Sequence, residues 1–174
     1  MFSLLLKSIT VFVVVTSLVA KASAFSVLAT MYSDGGESAG GAKLNAYPTT
    51  IKLGSRSVRV FPIAMYSDRI TSWKYKVIKL RNKNNGRIAY GHVVDECASG
   101  SCHANRWLAR KRGSVLVDVH KTMWRSLGLS KYGIHALEGQ LAAHKRFTLK
   151  NSPGVRAVMS SDAKHNYLPN KWKV

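Results

Sequence analysis

Two cysteines and eight acidic residues are all that this 174-residue chain contains. Cys97 and Cys102 can at most close one small loop across residues 98–101, so no disulfide framework staples the fold and the core must stand on packing. With His92 and His103 they match no standard zinc spacing, and the reading includes no metal and no cofactor. No apolar run is long enough to cross a bilayer. The longest, residues 9–20, is only about a dozen residues, too short for a span and right for the core of a secretory signal. Lys7 supplies its positive flank and Ala22-Ser-Ala24 a small-residue cleavage site. The expectation is a signal peptide over residues 1–24 and an extracellular protein of one domain, a monomer.

The scarcity of acids leaves a strong field. Of 27 Lys and Arg residues, 25 follow Ala24, as do all 8 acids, so the processed chain carries a net charge of +17. Such a field attracts polyanions: acidic wall polysaccharide, phosphorylated polymer, anionic lipid or nucleic acid. Nucleic acid is not read as a specific partner of a secreted chain.

Familiar catalytic signatures are incomplete as well. The glycine-rich stretch Gly35-Gly-Glu-Ser-Ala-Gly-Gly41 lacks the Gly-Lys-Ser/Thr ending of a phosphate-cradling loop. Its Gly36-Glu-Ser-Ala-Gly40 spells Gly-x-Ser-x-Gly, but the stretch reads as a turn and not as a strand-to-helix elbow, so nucleophilic hydrolysis gains no support from it.

What the chain does have is a series of short alternating runs: residues 27–32, 49–53, 58–65, 73–80, 88–94 and 115–117 read as strands. The cluster Asn82-Lys-Asn-Asn-Gly86 joins two of them as a turn. Residues 120–127 suit a short amphipathic helix that Gly128 ends. Between them, residues 99–113 read as a polar loop with a basic patch of Arg106, Arg110, Lys111 and Arg112 around Trp107. Residues 155–159 read as one more strand, with a loose basic tail over 160–174. The pattern indicates a small β-barrel with one or two short helices. An internal echo, Met31-Tyr-Ser-Asp34 and Met65-Tyr-Ser-Asp68, hints at two related halves.

Three motifs carry a resemblance. Val93-Val-Asp-Glu-Cys97, Asp118-Val-His-Lys-Thr-Met-Trp-Arg-Ser-Leu-Gly128 and Ala29-Thr-Met-Tyr32 resemble those of the double-psi β-barrels. That superfamily includes kiwellins, barwin, the first domain of expansins and rare-lipoprotein-A-like domains. The likeness covers about residues 27–129 and leans to the kiwellin- or barwin-like branch. Lys43 stands where expansins show a cysteine after Gly40-Gly-Ala42. The resemblance implies a mainly β, six-stranded double-psi barrel over residues 25–159. It also implies a shallow groove that binds cell-wall polysaccharide or an extracellular protein without turnover. The groove floor would carry Thr30, Tyr32, Asp34, Asp95 and Asp118. Trp107, Arg106, Arg110 and Arg112 would stand at its edge, where guanidinium forks suit carboxylates and an indole suits a sugar face.

Small inverting endoglucanases share this barrel, and Thr30, Tyr32 and Asp34 match their Thr-x-Tyr-x-Asp. Asp118 stands in place of their second aspartate, as it does for the lytic transglycosylases. A cleaving enzyme would use Asp118 as acid and Asp34 as base. The competing reading makes Asp118 the cap of the helix that follows it, and Asp95 an acceptor for loop N–H groups.

Overall fold

The computed structural model describes residues 23–173, apart from Asp34, Leu149, Pro169 and the stretches 130–132 and 165–167. The expected signal segment, through residue 22, lies outside the described residues. The protein is mainly β. Its strands are β1 (Ala24–Tyr32), β2 (Thr49–Leu53), β3 (Arg56–Tyr66), β4 (Val77–Arg81), β5 (Ile88–Cys97), β6 (Val115–His120) and β7 (His135–Leu141). They hydrogen-bond in the order β2-β3-β5-β4-β7-β1-β6, and β6 pairs back onto β3. The result is a closed ring from β3 round to β6, with β2 attached outside it to β3. Two pairings are parallel, β1 with β6 and β3 with β5; the rest are antiparallel.

Alternation explains the ring. Successive side chains of a strand point to opposite faces, and the inward set is apolar and fully buried: Val27, Ala29, Ile63, Met65, Val117 and Val119. The outward set on the same strands includes Leu28, Ala64 and Leu116, which a helix covers in a second apolar cluster. That helix, α2 (Gly100–Lys111), occupies the stretch read from sequence as a loop. Its apolar stripe is small, with Cys102 and Ala109 its buried members, so helical periodicity was hidden among the cations. Ser99 starts it, its side chain accepting from the Cys102 N–H.

Four shorter helices complete the chain: α1 (Ser67–Trp73), α3 (Lys121–Ser126), α4 (Pro153–Val158) and α5 (Ser161–Lys164). Among the described residues five α-helices thus stand where one or two short helices were expected. α4 replaces the strand expected at residues 155–159; Pro153 opens it, a position where the missing N–H costs nothing. The expected loose tail also differs in its described part. Trp172 is fully buried, its ring edge-on to Tyr75 at 5.5 Å between centroids. Lys74 holds this segment by donating to the carbonyls of Lys171 and Lys173, at 2.8 and 2.7 Å. Burial, helped by nearby Arg146, lowers the Lys74 pKa.

The glycine-rich stretch threads beneath that tryptophan. Gly40 donates to the Val94 carbonyl at 2.8 Å. A Cβ there would lie 2.5 Å from that oxygen and 2.8 Å from the Trp172 ring, so close approach, more than turning, explains the glycine. The echoed Met-Tyr pairs fall at matching places: Tyr32 ends β1 and Tyr66 ends β3, the earlier strand of each parallel pair.

Candidate functional site

Register places four residues in one row across the ring. Thr30 on β1 faces Asp118 on β6, Asp118 faces Ala64 on β3, and Ala64 faces Asp95 on β5. Facing residues share a side of the sheet, and here the side is the outer one. A break in register between Ile63 and Ala64 brings Asp95, rather than Val94, into the row. Strand spacing sets the Asp95 and Asp118 Cα atoms roughly 9–10 Å apart.

The two carboxylates do different things. Asp118 Oδ1 accepts from the Thr30 hydroxyl at 2.8 Å, and Oδ2 lies 3.7 Å from Cys97 Sγ. Asp95 Oδ1 accepts from two backbone N–H groups, Ala39 at 2.8 Å and Glu96 at 2.9 Å. Asp95 therefore ties the glycine-rich loop to β5, the structural alternative weighed for it. Asp118 is not the helix cap. It sits inside β6, three positions ahead of Lys121, and His120 caps α3 through its ring nitrogen and Thr122.

Asp118 and Thr30 open into a cleft of about 250 Å³ that Met31, Ser101, Cys102, Asn105 and Ile134 also line. Ser101 and Asn105, four apart on α2, face it together, as helical spacing requires. Neither was found from sequence, because the spacing has meaning only once the segment is a helix. Cys97 and Cys102 are joined as a disulfide, with Cα atoms 5.7 Å apart, which fixes the start of α2 beside the acid. The sulfurs and the Asp118 carboxylate lie close enough to suggest a metal cluster, but bonded sulfurs supply no thiolate to a metal.

The basic residues do not converge on that cleft. Arg106 pairs with Asp68 at 2.6 Å and lies over the Tyr66 ring at 4.4 Å; the carboxylate raises its pKa further. With Arg110 it borders a separate cleft of about 100 Å³ beside Leu116. Trp107 is 64% exposed, so it is not core, and Lys111 lies over its ring at 5.2 Å. Arg112 follows as the exposed end of α2, where a cation complements the helix dipole. Tyr32 packs edge-on to His120, 5.4 Å between centroids. Asp34 lies outside the described residues.

Three further acids among the described residues are engaged locally. Asp68 holds Arg106, Glu96 holds Lys171, and Glu37 accepts from the Ser160 hydroxyl at 2.7 Å. The surplus of cations is left to set the field around the molecule.

No family model matches the chain, and no curated protein matches it. Among solved structures it is similar to the apo form of an expansin from Clavibacter michiganensis. That comparison has a TM-score of 0.44 and 16% identity, covering 72% of this chain and 54% of that one. A mutant of the same expansin, in complex with cellohexaose, gives 0.41 and 14%, covering 68% and 50%. The chain thus spans about half the length of these expansin chains. A Streptomyces papain inhibitor gives 0.43 and 13%, covering 70% of this chain and 96% of the inhibitor.

Proposed function

We propose that this chain is a secreted double-psi β-barrel protein that binds a cell-wall polysaccharide in the Thr30–Asp118 cleft and does not cleave it. The hydrogen bond from Thr30 to Asp118, at the head of an open cleft, carries the reading. It is formed by two of the residues that the barrel resemblance singles out, on strands far apart in sequence. One Asp118 oxygen is oriented by Thr30, and a carboxylate so held accepts sugar hydroxyls well. Ser101 and Asn105 add polar groups on the facing wall, and Met31 and Ile134 add apolar surface for a sugar's C–H face.

The reading without turnover is argued from Asp95, the expected base Asp34 lying outside the described residues. Inverting hydrolysis needs two carboxyls roughly 6.5–9.5 Å apart with a water between them. Asp95, which shares the row, holds two backbone N–H groups and serves the loop. The parallel pairs β1–β6 and β3–β5, each ending at an echoed Met-Tyr, support two related halves and hence the double-psi connection. Secretion rests on the composition of residues 1–24.

A cleaving enzyme with Asp118 as its acid is the second reading, favoured by the contact of its Oδ2 with the disulfide. A protein-directed effector is the third, favoured by exposed Trp107.

The test is a panel of glucan, chitin, pectin and peptidoglycan incubated with the processed protein and with Asp118→Asn. Retention of one neutral polymer, weakened roughly tenfold in the variant and without soluble fragments, is the expected result. Fragment release that vanishes in the variant would establish the enzyme instead. Retention unchanged by the variant would remove the cleft from the function.

A further inference from the structure

A second recess lies on the opposite wall of the ring. The Thr30–Asp118 cleft sits on β1 and β6; three places round the ring are β5 and β4. There Tyr90 faces Lys79, and Lys79 faces Gln140 on β7, so the three side chains form an outward row. The hairpin between β2 and β3 raises one bank beside this row, with Lys52 and Arg56. Lys145, on the stretch after β7, raises the other. Together they enclose about 600 Å³, a volume ordinary for ligand sites.

Four cations line this recess, Lys52, Arg56, Lys79 and Lys145, and among the described residues lining it there is no carboxylate. Its remaining surface is aliphatic, from Leu53, Val58, Leu141 and Ala142, with the Gln140 amide and one open aromatic, Tyr90. Phe147 is almost fully buried, and the Lys145 ammonium lies over its ring at 5.1 Å. Past Lys145 a second basic hollow continues along Arg146, Lys150 and Lys173.

We propose that this recess is a binding site for an acidic polysaccharide, its carboxylates taken by the four cations and one sugar ring seated on Tyr90. No carboxylate is among the described lining residues, Glu138 facing Arg81 one pair further along the wall, and the mutual repulsion of the four cations falls when an anion arrives. A trough that extends past Lys145 fits a polymer better than a single small anion. Single-stranded nucleic acid is less suited, because its sequence-independent binding draws on successive stacking platforms and this wall offers Tyr90 alone. The site stands apart from the Asp118 cleft and does not depend on it.

The test titrates the processed protein with a hexameric α-1,4-linked galacturonate in a calorimeter, against variants of equal charge. Arg56→Gln/Lys79→Gln removes two charges from the recess; Arg110→Gln/Lys111→Gln removes two from α2. The first is expected to weaken binding about tenfold and the second less than about threefold, since local cations count beyond the net field. Tyr90→Ala, with charge unchanged, is expected to weaken binding about fivefold by loss of stacking. Equal losses in the two double variants would reduce the interaction to net charge and overturn the proposal. So would a single-stranded oligonucleotide of equal charge that binds more tightly through the same residues. Should a variant fail to fold, amide shifts of the unaltered protein decide: changes centred on Lys79, Tyr90 and Gln140 support the site, and changes spread over all basic faces refute it. Asp118→Asn should leave galacturonate binding intact, so loss of the neutral-polymer cleft and loss of this site are separate outcomes.

Discussion

Acidification should destabilise this protein through one histidine. His92 on β5 is fully buried. Tyr47 donates its hydroxyl to His92 Nδ1 at 2.9 Å, and Nε2 donates to the Phe147 carbonyl at 3.0 Å. In the neutral ring one nitrogen accepts and the other donates, so both are satisfied without a buried charge. Burial lowers its pKa to about 4 from an ordinary 6.5, against smaller opposing effects of backbone hydrogen bonds to Phe147 and Tyr75. The unfolded chain therefore binds the proton more tightly than the folded one. Stability is full above pH 6.5 and declines as pH falls toward 4, where protonation of the folded ring ends the decline. At about 1.4 kcal/mol per pH unit, the loss reaches roughly 3 kcal/mol by pH 4 and about 1 kcal/mol between pH 7 and 5.5. The milder interval is the better assay, because carboxylates of ordinary pKa barely titrate there. Urea unfolding of the protein and of His92→Gln, at pH 7 and pH 5.5, measures it. The variant is expected to be weaker at pH 7 yet to lose about 1 kcal/mol less on acidification. Equal losses in both proteins would refute the argument and assign the pH dependence elsewhere.

Other expectations concern packing. Gly40→Ala forces a methyl against the Val94 carbonyl and the Trp172 ring; thermal unfolding should show a loss of about 1–3 kcal/mol. Trp172→Ala removes a fully buried indole and should cost about 3–5 kcal/mol in urea unfolding; an unchanged midpoint would return this segment to the status of a loose tail. Asp118→Asn should weaken neutral-polymer retention while leaving the unfolding midpoint within about 1 kcal/mol of the parent, one hydrogen bond to Thr30 being altered.

Strands whose inner and outer faces differ were readable. The runs at residues 27–32, 49–53 and 88–94 fall within β1, β2 and β5, because alternating branched residues specify a half-buried ribbon. Asp118, named from the barrel resemblance, lines a cleft that alternation alone does not mark. β7 escaped notice: His135, Glu138 and Gln140 interrupt its apolar residues, and Gly139 hides a strand position pressed by the Phe25 ring. α2 escaped because a helix needs only a narrow stripe when it lies on a sheet, and Cys102 and Ala109 supply it without large hydrophobics. Trp172 could not be placed from a polar segment, since its burial depends on Gly40 more than a hundred positions away. Clustering of basic residues in sequence is not clustering in space: Arg106 turned to Asp68 and Tyr66, while the cation-lined recess drew Lys52, Lys79 and Lys145 from separate strands and turns.

The closed ring also dictates an order of events at birth. β1 bonds to β6 and β7, and the Thr30–Asp118 hydrogen bond joins residues 88 positions apart. A chain emerging N-terminus first holds β1 without either neighbour until nearly all the strands have been made. Pairings so distant in sequence form slowly, and until then β1 is an open edge that invites another chain. Closure of the ring is thus deferred until its last strand arrives.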